Sequence, residues 1–201
     1  MTSSDSAIDA YQHLTKLGSK KLSHFIEKTG PIEIPRRYGE DLLLSLARII
    51  VSQQLSNQAA ISIWRRLAVA YPNRVALLAA LGNVTTPHTG LSASKKRTLG
   101  KLVALGDSWI MMISQLEEAK RAQMLLSIWG IGPWTVTMSE LFVLGNPDQW
   151  SDNDLILRRV SEELAADADS DRTAFINAAS PFRSYLGLYA WRLNDSNKAN
   201  R

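Results

Sequence analysis

The sequence predicts an all-α fold of about ten short helices, and two observations lead to this prediction. Apolar residues recur at spacings of three and four along most of the chain, which is the period of an amphipathic helix. Glycine and proline interrupt this period at turn positions, among them Gly30-Pro31, the segment 130–133 and Pro181. No run alternates convincingly between apolar and polar residues, so we expect no strand apart from a short extended piece at about 31–35.

The helices follow from this pattern in chain order. Residues 40–54 (EDLLLSLARIIVSQQ) place leucines and isoleucines on one stripe, and residues 57–71 repeat the pattern. Ser56 stands between them as a candidate N-cap, because its hydroxyl can accept a hydrogen bond from an otherwise unpaired amide of the second helix. By the same period and breaks, the other helices are expected at about 7–28, 74–81, 92–105, 115–128, 134–145, 154–165, 171–178 and 182–193.

Composition excludes several classes of protein. The 201 residues include no cysteine, which excludes a disulfide framework, a thiolate zinc site, a cysteine nucleophile and a cysteine-ligated iron–sulfur cluster. The polar N-terminus lacks the apolar stretch of a signal peptide, and no segment reaches the ~18 consecutive apolar residues of a membrane span. We therefore expect a soluble, intracellular protein, in the cytoplasm or nucleoid or in the nucleus, depending on its source.

Charge is distributed unevenly along the chain. Residues 1–100 hold 13 Lys and Arg against 6 Asp and Glu, whereas residues 101–201 hold 10 against 13. A basic half favours a polyanionic partner such as nucleic acid, and a merely solvated basic face is the alternative.

Residues 125–145 (LLSIWGIGPWTVTMSELFVLG) have the pattern of two apolar helices joined by a glycine turn. Gly130 and Gly132 let another backbone approach closely, and Pro133 suits the first position of the second helix. The unpaired amides at the start of that helix can point at an anion, aided by the helix dipole. The hairpin is therefore a candidate phosphate-binding element, although a bare Gly-Ile-Gly also occurs in ordinary interhelical turns.

Four segments, in chain order, are similar to those of a known family. They are IIVSQQLSNQAAISIWRRL, GLSASKKRTLGKLVALG, the hairpin followed by DQWSDNDLILRRV, and PFRSYLGLYAWR. Together they cover about residues 40–193 and resemble the helix–hairpin–helix DNA glycosylases, of the 3-methyladenine DNA glycosylase II type. The resemblance implies a two-lobed all-α fold with the active-site cleft between the lobes. One lobe is expected to be continuous, at about 40–145, and the other to combine 1–39 with 146–201.

The resemblance assigns the essential carboxylate of the family to Asp154, in the phrase Asp-Leu-Ile-Leu-Arg-Arg-Val. Asp152 lies two residues too early, so we expect Asp152 or Asn153 to act as a helix cap or a local hydrogen-bonding partner. An ionised carboxylate beside the sugar stabilises the oxocarbenium-like transition state and can orient or deprotonate the attacking water. Simple capping of the helix that follows is the alternative role for Asp154.

Pocket and DNA contacts are also implied by the resemblance. Trp134 and Trp191 are expected to stack on a flipped base, with Met138 and Leu155 at two pocket positions that are aromatic in the family. Packing in the core is the alternative role of each tryptophan. The DNA-binding residues would be Gln54, as the residue inserted into the duplex, together with Ser56, Gly130, Gly132, Thr135, Lys95 and Lys96. A monovalent cation on the hairpin carbonyls near Gly130 is a further expectation, with no metal held by side chains.

The reaction type follows from one position of the hairpin. Bifunctional members of the family carry a nucleophilic lysine two residues after the second glycine, where this chain has Trp134. Tryptophan cannot form a Schiff base, so lyase activity should be absent. The resemblance thus implies a cofactor-free, monomeric, monofunctional glycosylase that removes alkylated purines from double-stranded DNA. The alternatives are an inactive helix–hairpin–helix DNA-binding relative, or a glycosylase for deaminated, oxidised or etheno bases.

Overall fold

A computed structural model describes residues 3–35, 41–86 and 90–199. Across these ranges the structure is helical with no strand, which confirms the predicted fold class. None of the described helices combines the length and hydrophobicity needed to span a lipid bilayer. The elements of the described ranges are α1 (Ser3–Leu14), α2 (Lys20–Thr29), α3 (Leu42–Ser52), α4 (Asn57–Ala70), α5 (Arg74–Gly82), α6 (Ala93–Ser114), α7 (Glu118–Leu126), α8 (Pro133–Ser139), a π-helical turn (Glu140–Leu144), α9 (Leu155–Asp167), α10 (Arg172–Ala178) and α11 (Arg183–Ala199).

The chain forms two compact units. The central unit comprises residues 36–139, and the terminal unit combines residues 1–35 with 140–201. The central unit therefore contains α3 to α8, and the terminal unit contains α1, α2, the π-helical turn and α9 to α11.

Four of the predicted helices differ from the observed ones, and one of them is the last, which was predicted to end at 193 and continues to Ala199. The helix predicted over 7–28 is two helices, because the chain turns at Gly18 with φ +89° and the Ser19 hydroxyl caps α2 by accepting from the Leu22 amide. The helix predicted to end at 105 continues to Ser114 through a kink at Gly106. The helix predicted over 134–145 is α-helical only to Ser139 and continues as the π-helical turn. Apolar periodicity alone marks neither a cap nor a change in helical pitch.

The core of the central unit is built on α3 and α6. Helix α6 packs against both α3 and α5, and α3 also packs against α4 and α8. Leu46, Ile50, Leu67, Leu99 and Leu102 are buried at this core. Each such side chain contributes about 1.5–3 kcal/mol when fully buried. Two loops are anchored on this core, the one between α3 and α4 and the hairpin before α8.

The core of the terminal unit is built on α9 and α11, with α10 and α2 packed against α9. Leu22, Ile26, Leu164 and Leu186 are fully buried in this unit. Tyr189 is buried with them, and its hydroxyl donates to the Gly30 carbonyl at 2.8 Å. Burial raises the pKa of Tyr189 to about 12, so the hydroxyl remains a donor at neutral pH. Helix α11 is thereby fixed to the end of α2.

Candidate active site

Asp154 is the N-cap of α9, and its carboxylate has a defined orientation. Its Oδ1 accepts from the backbone amides of Ile156 and Leu157, both at 3.0 Å. The indole Nε1 of Trp191 donates to the same oxygen at 3.3 Å. The helix cap is therefore Asp154 itself, rather than Asp152 or Asn153 as one of the predicted options had it. Capping and a chemical role are compatible, because the cap holds the carboxylate in place at the positive end of the helix dipole.

Asp152 serves as the local hydrogen-bonding partner that the sequence allowed. It accepts from Arg172 Nη1 at 2.8 Å and from the Trp150 indole at 3.2 Å. The hydrogen bond from the Arg172 guanidinium lowers the pKa of Asp152 below its ordinary value. The carboxylate of Asp152 is engaged with α10, and its side chain is 64% exposed.

Trp191 is held on two sides within the terminal unit. Its ring stacks on Phe142, with centroids 5.9 Å apart and an interplanar angle of 26°. Its N–H is directed at Asp154, as described above. Leu155, the residue after Asp154, leaves 74% of its surface exposed, which is unusual for a large apolar side chain. The terminal unit thus brings together three predicted site residues: a carboxylate, an aromatic ring and an exposed apolar side chain.

The loop before Asp154 is bound to the start of α11. Asp148 forms a bidentate pair with Arg183, Nε to Oδ1 at 2.7 Å and Nη2 to Oδ2 at 2.8 Å, and also accepts from the Arg183 amide at 3.1 Å. The Ser184 hydroxyl donates to the Asn146 carbonyl at 2.7 Å and accepts from the Gln149 amide at 2.8 Å. Sequence reasoning missed this anchor, because its partners lie 35 to 38 residues apart.

The Asp148 anchor predicts a pH-dependent stability. Burial alone would raise the pKa of Asp148, but hydrogen bonds from Arg183 and Ser180 outweigh it and lower the pKa. A carboxylate with a depressed folded pKa stabilises the fold above its unfolded pKa of about 3.9, and loses this effect as the pH falls through the folded value. Asp148→Asn should therefore cost about 1–3 kcal/mol at pH 7. Urea unfolding should show this difference in unfolding free energy narrowing as the pH falls below about 4.

Glu163→Gln is the control for Asp148→Asn. Glu163 pairs with Lys21 at 2.8 Å, but both side chains are exposed, at 43% and 40%. An exposed pair contributes at most about 1 kcal/mol. If the unfolding free energies of wild type and Asp148→Asn differ by a constant amount down to about pH 2, the lowered pKa of Asp148 is contradicted.

Packing within the central unit requires glycine at one position of the hairpin but not at the other. Gly130 has φ +88°, and a Cβ there would lie 2.0 Å from Thr98 Oγ1. Gly132 has no positive φ, and a Cβ there would have no heavy atom within 4 Å. Pro133 begins α8, as predicted. The fold thus requires glycine at 130, whereas the space beside Gly132 is open to a ligand.

Two glutamines follow α3, and their side chains have different environments. Gln54, the predicted inserted residue, is exposed and has φ +54°, which is rare outside glycine. Gln53 was not predicted to have any role. Its Nε2 donates to the Gly130 carbonyl at 3.0 Å and to Thr135 Oγ1 at 2.8 Å. Ser56 caps α4, as predicted, by accepting from the Ala59 amide at 3.3 Å.

The ammonium groups predicted to bind DNA form bonds within the central unit. Lys95 Nζ donates to the Val51 carbonyl at 2.7 Å, and Lys96 Nζ donates to the Thr86 carbonyl at 2.6 Å. Burial lowers the pKa of Lys95. Arg97 stacks on Trp129, with its guanidinium 4.2 Å from the ring centroid. This places a cation next to the hairpin.

The remaining predicted pocket residues lie on α8. Trp134 is half-buried and Met138 is buried, and the two are one helical turn apart on the same face. In the described ranges no three histidine or acidic side chains are close enough to hold a metal ion. The predicted site residues therefore form two groups, one around Asp154 in the terminal unit and one around the hairpin in the central unit.

Comparison with known proteins finds similar sequences and similar folds. No protein-family model matches the chain. A probable bifunctional transcriptional activator/DNA repair enzyme AlkA of Mycobacterium tuberculosis, from two strains, is 29% identical over 158 residues. The match covers 72% of this chain and 32% of the relative, so the chain spans about a third of the length of the curated relatives it matches.

Solved structures share the fold. A 3-methyladenine DNA glycosylase of Schizosaccharomyces pombe in complex with abasic DNA matches with a TM-score of 0.76 and 22% identity, over 92% of this chain and 95% of that one. A DNA-3-methyladenine glycosidase from Bacillus halodurans matches at 0.68 and 24%, over 90% and 88%. A 3-methyladenine DNA glycosylase from Archaeoglobus fulgidus matches at 0.72 and 19%, over 92% and 68%. The resemblance to 3-methyladenine DNA glycosylases is confirmed, and these structures show the fold.

Proposed function

We propose that this chain is a monofunctional DNA glycosylase that hydrolyses the N-glycosidic bond of alkylated purines in double-stranded DNA and leaves an abasic site. The observation that carries the proposal is the carboxylate of Asp154, oriented at the start of α9 by two amides and the Trp191 indole. The fold shared with 3-methyladenine DNA glycosylases and the match to a DNA repair enzyme support it. We expect substrates of the 3-methyladenine and 7-methylguanine type, and action as a monomer on DNA inside the cell.

The proposed chemistry needs one carboxylate. As the N-glycosidic bond breaks, positive charge grows on the sugar, and the anionic side chain of Asp154 stabilises it. The same carboxylate orients a water molecule and accepts its proton as the water attacks the sugar. An alkylated purine already carries positive charge, so it departs as a neutral base without a strong general acid. Trp191, whose indole donates to Asp154, is assigned to stacking on this cationic base, which favours it over a neutral one, and the stacking role of Trp134 stays a prediction from the resemblance.

The proposed DNA contacts lie in the central unit. The base must leave the duplex to reach the carboxylate, and Gln54 is assigned to fill the vacated space. The open space beside Gly132 and the first amides of α8 suit a phosphate of the DNA backbone. Arg97, held beside the hairpin by Trp129, adds positive charge there. Lys95 and Lys96 are assigned a secondary role in DNA binding, since their ammonium groups also bond carbonyls of their own unit.

Chromatography of bases released from methylated duplex DNA tests the function. We expect 3-methyladenine and 7-methylguanine in the soluble fraction, and none from unmethylated DNA. The DNA strand should remain intact until alkali is added, because Trp134 occupies the position of the lyase nucleophile and cannot form a Schiff base. Binding without base release would instead identify a DNA-binding module. Release only from deaminated, oxidised or etheno-modified duplexes would change the substrate class.

A further inference from the structure

The loop between α3 and α4 is tied to the hairpin by a single side chain. Gln53 lies at the end of α3, and its Nε2 reaches two acceptors across the central unit. These are the carbonyl of Gly130, in the turn, and the hydroxyl of Thr135, in the first turn of α8. The bonds span 77 and 82 residues of sequence. They join the loop that carries Gln54 to the element assigned to the DNA phosphate.

The chemistry of this contact selects glutamine. The Gly130 carbonyl can only accept, so the linking group must supply an N–H donor, and the primary amide of Gln53 has a second N–H on the same atom for Thr135 Oγ1. Glutamate has the same length but no donor, and methionine has a similar shape but forms neither bond. The neighbouring Gln54 adopts φ +54°, a conformation that costs free energy for a residue with a Cβ and persists only where surrounding bonds hold it.

We propose that Gln53 is a positioning residue that holds the DNA-inserting residue Gln54 in a fixed place relative to the phosphate-binding hairpin. This inference rests on the proposed function. With the two elements joined, the phosphate seated on the hairpin determines which nucleotide Gln54 displaces, and the loop does not have to be ordered during base flipping. Gln53 contacts neither the base nor the reacting atoms in this role. It acts through Gln54.

Gln53→Met and Gln53→Glu test the proposal, with Gln12→Met as the matched control, because Gln12 is an exposed glutamine on α1. Flipping is followed by the fluorescence of 2-aminopurine next to a single lesion in a duplex, and binding by anisotropy on undamaged duplex. Both Gln53 variants should lower the equilibrium constant for flipping by about tenfold, while their affinity for undamaged DNA stays within about threefold of the wild-type affinity. Gln12→Met should change neither value. Thermal unfolding checks that each variant is folded.

Combining the variants with Gln54→Ala separates positioning from a general structural effect. If Gln53 acts through Gln54, then Gln53→Met should lower flipping by less than about twofold in the Gln54→Ala background. A full tenfold loss in that background would overturn the proposal, as would an equal loss of flipping and of undamaged-DNA affinity. If the wild type flips the lesion, as the fluorescence of the neighbouring 2-aminopurine reports, but releases no methylated base, the proposed function fails, and these fluorescence comparisons still decide the role of Gln53.

Discussion

Asp154→Asn is expected to reduce base release from methylated DNA by about a thousandfold or more, with DNA affinity within about threefold of wild type. In the proposed mechanism the substitution removes both the negative charge assigned to stabilising the sugar cation and the carboxylate oxygen assigned to accepting a proton from water. It changes little else, because the amide oxygen of asparagine can still accept from Ile156, Leu157 and Trp191. Single-turnover release of 7-methylguanine measures the first effect, and anisotropy with duplex DNA measures the second.

Asp154 caps α9 and also carries the proposed catalytic carboxylate, so an aspartate that only caps a helix serves as a matched control. Asp171 caps α10 in the same way, accepting from the amides of Thr173 and Ala174 at 2.8 and 3.0 Å. Asparagine caps a helix about as well as aspartate, so Asp171→Asn should leave both stability and base release near wild type. Asp154→Ala loses the cap as well as the charge, and should be less stable than Asp154→Asn by about 1 kcal/mol. If Asp154→Asn keeps near-full base release, Asp154 is only a helix cap.

The elements that could be predicted from sequence are those set by local chemistry. Ser56 was identified as a cap and Pro133 as a helix start because each acts on amides within a few residues. Motif order assigns the essential carboxylate to Asp154, which stays a prediction, and the structure adds that its carboxylate accepts a hydrogen bond from Trp191, 37 residues away. No local rule distinguishes Gln53 from Gln54, since they are identical neighbours. Only the contacts of Gln53 with Gly130 and Thr135, distant in sequence, set it apart. The same holds for the Lys95 ammonium, which meets the Val51 carbonyl 44 residues away.

Gly130→Ala is expected to destabilise the protein by about 2–5 kcal/mol and to abolish hairpin-dependent DNA binding. The added methyl group would overlap Thr98 Oγ1, at 2.0 Å, and would lie 3.0 and 3.1 Å from the Thr98 Cβ and Cγ2. Overpacking of this kind costs about 1–3 kcal/mol, and a Cβ in the left-handed region adds about 1–2 kcal/mol. Urea unfolding measures the loss. Adding Thr98→Ala should recover part of it, because the hydroxyl and methyl groups are removed while the φ strain remains.

Gly132→Ala tests whether this glycine is required for DNA binding rather than for the stability of the fold. No heavy atom lies within 4 Å of the added methyl group and the backbone needs no positive φ, so stability should change by less than about 0.5 kcal/mol. If a DNA phosphate approaches the backbone at this point, the same methyl group should weaken binding to undamaged duplex by about tenfold. Gly130→Ala then loses binding together with stability, and Gly132→Ala loses binding alone. Wild-type affinity in Gly132→Ala would place the phosphate elsewhere, and the assignment of the hairpin would be wrong.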